Sequence, residues 1–149
     1  MIWAPHVTVA AVVEENGRFL LVEEMVGGRR CFNQPAGHWD PGETLLDAVV
    51  RETLEETGYT FQPEYLTGVY HWEFPEKNLT YLRFAFGGRL GPRDMSRALD
   101  AGIIGPAWLT PGEVVARRGE MRSVMVQRCM ADYQAGKRYP LDLLHAGVD

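Results

Sequence analysis

The stretch from Gly37 to Gly58 constrains this chain more than any other. A loop holding Pro41 and Gly42 runs into Thr44, and Asp47 three residues later completes a capping-box start for a helix. Gly58 supplies the left-handed stop that helix ends favour. At about 100° per residue, Glu52, Glu55 and Glu56 fall within an arc of about 100°. Leu46, Val49, Val50, Thr53 and Leu54 fill the neighbouring arc, so the helix is expected to be buried on one side and acidic on the other.

Carboxylates at i, i+3 and i+4 repel, each close pair at a cost on the order of 1–3 kcal/mol. No lysine lies between Gly37 and Gly58 to relieve them. A hard divalent cation would do so, and Mg²⁺ is commonly held by a few carboxylates together with a substrate's phosphates. The alternative is a plain solvated acidic face. Helix geometry alone leaves both readings open.

Composition narrows the classes. With 149 residues, the chain is expected to form one domain with a substantial core. A net charge of −5 argues against a nucleic-acid groove that works by neutralising phosphates, although a metal could still bring a polyphosphate to a negative protein. Cys31 and Cys129 are isolated, which suits neither a disulfide framework nor a zinc site and fits a reducing cytoplasm. The N-terminal stretch has no basic leader followed by an apolar core, and no run is long enough to span a membrane.

Along the chain, residues 6–13 are apolar at nearly every position, as in a central strand covered on both sides. Asn16-Gly17 signals a two-residue hairpin, with residues 18–23 as the return strand. Residues 65–74 and 79–87 read as two strands around the turn at Pro75-Glu76-Lys77-Asn78. In the second, Leu82, Phe84 and Phe86 alternate with Tyr81, Arg83 and Ala85, so Arg83 is expected on the face away from the core. Residues 90–102 are expected as a loop and 103–109 as a short strand. Thr110, with Pro111 and Glu113, opens a short helix, and a longer amphipathic helix is predicted from about residue 122 to 134. Two hairpins, a central helix and two C-terminal helices fit an α/β fold with a mixed sheet covered on both faces.

The spacing in the first stretch is specific. Gly37, Glu43, Arg51, Glu52, Glu55, Glu56 and Gly58 stand at the intervals of the signature box that the Nudix hydrolases share, which this chain therefore resembles. At ordinary residue frequencies, seven such matches arise by chance in about one window in 10⁸. The resemblance implies the Nudix fold, an α/β/α sandwich with a mixed central sheet, and a hydrolase of phosphoanhydride bonds. It implies Glu52, Glu55 and Glu56 as metal ligands, with the Gly37 carbonyl beside them, and Mg²⁺ as cofactor with Mn²⁺ as a possible substitute. Arg51 and Glu43 would orient the carboxylates, and Glu55 or Glu56 would take a proton from the attacking water. Thr53 and Tyr59 replace bulky aliphatics at packing positions, and Pro35-Ala36-Gly37-His38 replaces the commoner Pro-Gly-Gly.

That last segment, with Pro5 to Ala10, Tyr81-Leu82-Arg83-Phe84 and Lys137 to Leu141, resembles the NudJ-type phosphatases within the family. Such a resemblance implies a small nucleoside di- or triphosphate, or the thiamine-precursor pyrimidine pyrophosphate, as substrate and phosphate as product. A nucleotide-sanitising or dinucleoside-polyphosphate pyrophosphatase on the same fold is the rival, and a non-catalytic nucleotide sensor a third reading. A monomer and a homodimer are both compatible with the sequence.

Outside the box each candidate has a structural alternative. Arg83 could meet a phosphate or make a surface ion pair; Trp72 and Tyr81 could stack on a pyrimidine or simply fill the core. Asp100 could contribute to the metal site or act as a base, or be a plain turn aspartate. His38 could touch substrate or serve the loop, and the Lys137-Arg138-Tyr139 tail could close over the site or dock elsewhere.

Overall fold

The computed structural model describes residues 2–148; Met1, which opens the N-terminal stretch, and Asp149 lie outside them. Strand β1 (His6–Val12) is the centre of a mixed sheet because its apolar side chains are buried on both faces. It pairs antiparallel with β5 (Ala36–His38) and parallel with β7 (Leu79–Arg93), and β7 pairs antiparallel with β6 (Tyr59–Phe74). The strand order is β5-β1-β7-β6. A second, antiparallel sheet is built on β3 (Arg18–Val26), flanked by β2 (Glu14–Glu15), β4 (Arg29–Asn33) and β8 (Ile103–Leu109).

Helix α1 (Leu45–Thr57) brings Ala48 and Val49 onto one face of the mixed sheet, against Val9, Ala11 and Phe86. On the other face, α3 (Met125–Gln134) places Val126, Cys129 and Met130 against Ala10, Val12 and Ala85, with Phe19 and Phe32 from the second sheet. Between these lies the short α2 (Pro111–Ala116), started by the expected Thr110–Glu113 capping box. The mixed sheet between helices is the α/β arrangement expected. Among the described residues, no helix is long and apolar enough to cross a membrane.

Four expectations are corrected. The Asn16-Gly17 turn forms, with positive φ at both residues, but it joins only Glu14–Glu15 to the start of β3. Both edges of β1 are already taken by β5 and β7, so β3 turns into the other sheet. The β6–β7 ribbon runs on to Tyr59 and Arg93, through what reads as loop in the sequence. Its register shifts around Pro63, and at Gly88 a Cβ would sit 2.0 Å from the Gln62 carbonyl oxygen, so the glycine is there for close approach rather than for a turn. The longer C-terminal helix starts at Met125, because the Arg122 N–H is committed to the Phe32 carbonyl at 2.7 Å. Finally, Arg83 does not point away from the core: its face of β7 is covered by α3 and the second sheet, and the residue is 4 % exposed.

Candidate active site

Helix α1 carries the site, and its ends form as the sequence requires. The Asp47 N–H donates to Thr44 Oγ1 at 3.0 Å, and the Thr44 N–H donates to the Asp47 carboxylate at 3.1 Å. Gly58 adopts φ 79° and its N–H closes on the Leu54 carbonyl. Thr53, which replaces an aliphatic, and Thr57 are both buried, and their hydroxyls donate to the carbonyls of Val49 and Thr53 at 2.8 and 2.6 Å. A hydroxyl satisfied in this way enters the core without an orphaned polar atom.

Part of the carboxylate repulsion is relieved by Arg51. Its Nε and Nη2 donate to both oxygens of Glu43, at 3.0 and 2.7 Å, in a bidentate fork. Its Nη1 donates to Glu52 at 2.8 Å and to Glu55 at 3.3 Å, while Nη2 also reaches the His38 carbonyl at 3.0 Å. Glu43 is tied further by the Asp40 N–H at 2.9 Å. The Arg51 hydrogen bonds hold the Glu43 carboxyl below its usual range, and Glu43 in turn keeps the guanidinium charged. One arginine thus fixes the directions of three glutamates and links helix to loop.

Glu52 points back at the loop. An ideal Cβ on Gly37 would lie 2.1 Å from the Glu52 carboxyl carbon, so the carboxylate occupies space that only a glycine leaves free. Oxygens of Glu52, Glu55 and Asp100 all lie within 4.8 Å of one another. Asp100 is brought there from the segment after β7 by its own N–H, which donates to the Glu55 carbonyl at 3.1 Å. Glu56 sits deeper and is turned aside, its Oε1 accepting the Ala36 N–H at 2.9 Å. Burial pushes its pKa up to about 8, against the Ala36 hydrogen bond that lowers it and with help from the charges of Glu52, Glu24 and Asp100. Burial also raises Glu52, with Arg51 opposing. A donor set of three carboxylates, with a fourth held beside it, suits a hard divalent cation.

This acid cluster meets, through Glu52, a cavity of about 410 Å³ between the two sheets. His38, Arg83, Trp72 and Tyr81 all line it. They share one face of the mixed sheet: His6, Tyr81 and Trp72 stand in one row across β1, β7 and β6, and His38, Thr8 and Arg83 in the next. Tyr81 is stacked between His6, at 5.2 Å, and Trp72, at 5.1 Å, so both its faces are covered. Burial and the neighbouring His6 lower the pKa of His38, which keeps it neutral at neutral pH. The C-terminal tail lies elsewhere, Tyr139 exchanging backbone hydrogen bonds with Leu66 on the outer edge of β6.

Two residues, one lining the cavity and one behind Arg83, escape a reading of the sequence. Glu24, 7 % exposed and paired with Arg122 at 2.7 Å, reaches the cavity because the β3–β8 register shifts at Glu23/Glu24. Gln34 is fully buried and places its Oε1 on Arg83 at 2.9 Å. A bulge leaves no mark in residue alternation; a buried Asn33-Gln34 pair inside an apolar run was the only available signal for the second.

A mixed sheet between helices carries a loop–helix carboxylate cluster that opens into a cavity. Residues 4–129 match the NUDIX domain, and the chain belongs to the Nudix family of phosphoanhydride hydrolases. The phosphatase NudJ of Escherichia coli (strain K12) is 39% identical over 140 residues, covering 94% of this chain and 90% of that protein. The phosphatase NudJ of Shigella sonnei (strain Ss046) matches to the same extent. A NUDIX hydrolase from Nitrosomonas europaea superposes with a TM-score of 0.94 at 49% identity, over 97% of this chain and 98% of that one. A MutT protein from Methanosarcina mazei Go1, 22% identical with a TM-score of 0.73 over 92% of this chain and 99% of that one, shares the fold.

Proposed function

We propose that residues 1–149 form a single Nudix domain that hydrolyses, with Mg²⁺, the phosphoanhydride of a small nucleoside di- or triphosphate or of a pyrimidine pyrophosphate, releasing phosphate. The observation that carries this is the convergence of Glu52, Glu55 and Asp100 oxygens within 4.8 Å, at Gly37, on the rim of the cavity. The curated relatives named phosphatase NudJ support the choice of phosphate as product.

Mg²⁺, with Mn²⁺ as a substitute, would neutralise phosphate oxygens and lower the pKa of the attacking water when bound by these carboxylates. The chain's own part is positioning. Arg51 and Glu43 hold Glu52 and Glu55 in fixed directions, and Gly37 leaves room for the Glu52 carboxylate. Glu55 or Glu56 accepts the proton of the water, directly or through a second water. The closed contact of Glu56 with the Ala36 N–H steers its free oxygen, Oε2, while Glu55 faces Arg51 and Asp100. Two buried free thiols accord with a cytoplasmic setting.

The test is product analysis of a panel of di- and triphosphates with Mg²⁺, for the parent and for Glu55→Gln and Glu56→Gln. Phosphate release that falls by a factor of about 10² or more in at least one variant is the expected result. Pyrophosphate as the product would favour the pyrophosphatase reading. Turnover within a few-fold of the parent in both variants would remove the assignment of the base.

A further inference from the structure

Arg83 is a buried cation without a buried anion. Its Nη1 donates to Gln34 Oε1 at 2.9 Å and to Cys129 Sγ at 3.9 Å, and its Nη2 to Asn33 Oδ1 at 3.3 Å. All three acceptors are uncharged or weakly polar, and among the described residues no carboxylate lies within ion-pair distance of it. The Arg83 Nε–H has no acceptor, and neither has the Nε1–H of Trp72, over whose ring the guanidinium lies at 5.5 Å from the centroid. Arginine stays charged in a protein, so a site that is 4 % exposed and offers it only amides holds an uncompensated charge. Both orphaned donors belong to residues that line the cavity shared with Glu52 and Glu56.

We propose that Arg83, with Trp72, is the subsite for the terminal phosphate of the substrate, so that the enzyme reads the open end of a phosphate chain and not its base. This rests on the hydrolytic reading of the acid cluster given above. Three observations select a phosphate over a heterocycle. A neutral ring would leave the guanidinium uncompensated, whereas an anionic oxygen on Nε–H forms a charge-assisted bond. Tyr81 has no free face for a base, since His6 and Trp72 cover both. The partners of Arg83, Asn33 and Gln34, lead in three residues to Gly37, against which Glu52 lies, so that one short segment ties the guanidinium to the acid cluster. Glu52 and Arg83 line one cavity, so a phosphate chain lying in it is placed between the two.

The reaction consumes one water. The terminal P–O–P bridge opens, and the products are inorganic phosphate and a substrate one phosphate shorter, with the water's proton passed to the glutamate base. A compound whose phosphate chain is capped at both ends has no group to place on Arg83 and is a poor substrate.

The experiment has a binding arm and a turnover arm. In the binding arm, inorganic phosphate is titrated into the metal-free protein and the shift in melting temperature is read. The parent is expected to be stabilised, Arg83→Met to show no shift, and Trp72→Phe a reduced one. In the turnover arm, GTP, CTP, inorganic tripolyphosphate and a dinucleoside tetraphosphate are compared with Mg²⁺. The three open-ended compounds should be cleaved with phosphate release and the capped one at least 100-fold more slowly. Arg83→Met should raise KM at least tenfold, alike for GTP, CTP and tripolyphosphate, with a smaller change in kcat; Arg83→Lys, which keeps the charge, should fall between. A parent that phosphate does not stabilise, a phosphate shift that survives in Arg83→Met and Arg83→Lys, or capped and open substrates cleaved alike, would overturn the proposal. So would a KM effect confined to one base. If the parent releases no phosphate from any of these compounds, the hydrolytic reading fails on its own, and the metal-free phosphate shift still decides the role of Arg83. Should Arg83→Met not fold, Arg83→Lys and Trp72→Phe carry the same comparison.

Discussion

Gly37 and Glu52 share a space that admits only one side chain: the Glu52 carboxyl carbon lies 2.1 Å from where a Cβ on Gly37 would be. Gly37→Ala must therefore displace the end of a flexible side chain, which costs little folding energy but moves a carboxylate out of the cluster. Divalent-ion affinity is expected to fall by about 10–100-fold, the range seen when a ligand's positioning is lost. Titration of Mn²⁺ followed by calorimetry checks this. An unchanged affinity would mean that Glu52 is not a ligand.

Arg51 pairs with four carboxylates, those of Glu43, Glu52, Glu55 and the more exposed Asp40, so its removal leaves all of them unneutralised. Arg51→Gln is expected to lower the stability of the metal-free protein by about 1–2 kcal/mol, after allowance for a site in partial contact with solvent. Divalent ions should restore more stability to this variant than to the parent, because they neutralise the same charges. Arg51→Lys should behave similarly, since an ammonium cannot make the fork to Glu43. Melting curves with and without Mg²⁺ measure both effects, and equal metal-induced gains in parent and variant would contradict the account.

How far the sequence reaches is visible in these same residues. The capping box at Thr44, the stop at Gly58 and the acid ridge depend on contacts within a few residues, so local chemistry settles them. The separation of Glu56 from Glu52 and Glu55 depends on the Ala36 N–H, twenty positions away, and no helical arc shows it. Likewise, alternation along β7 correctly assigns Arg83 to the face opposite Phe84 and Phe86, but whether that face meets water is decided by α3 and the second sheet. The extension of β6 and β7 past Gly87 is hidden for another reason: Pro63 and Gly88 are turn formers by local rule and bulge residues only when a partner strand is present.

Glu56 makes the metal-free protein sensitive to pH. Its pKa rises from 4.5 to about 8 on folding, mainly through burial. Between these values the folded state holds a proton that the unfolded state releases, so this group's contribution to stability is full below pH 4.5, declines as pH rises and is lost above about pH 8. In the presence of a chelator, the melting temperature should fall across this window more steeply for the parent than for Glu56→Gln, which has no proton to lose. A metal that neutralises the cluster should flatten the parent's slope. Identical slopes for parent and variant with chelator would show that Glu56 is ionised throughout.

Asp100 contributes charge to the cluster from outside the helix, and this gives its removal opposite effects in two conditions. In the metal-free protein it is an exposed like charge that raises the pKa of both Glu52 and Glu56. Asp100→Asn should therefore leave the metal-free protein as stable as the parent or slightly more so, with the Asp100 N–H bond to the Glu55 carbonyl retained because it is a backbone contact. With Mg²⁺ or Mn²⁺ the same change removes a charged oxygen from the three that converge within 4.8 Å. Affinity for the ion should drop by about tenfold, and the metal-induced rise in melting temperature should shrink with it. Metal titrations of parent and variant by calorimetry, paired with melting curves in chelator, read both signs. A variant that binds the ion as tightly as the parent would return Asp100 to the status of a turn aspartate and leave the metal to the helix glutamates alone.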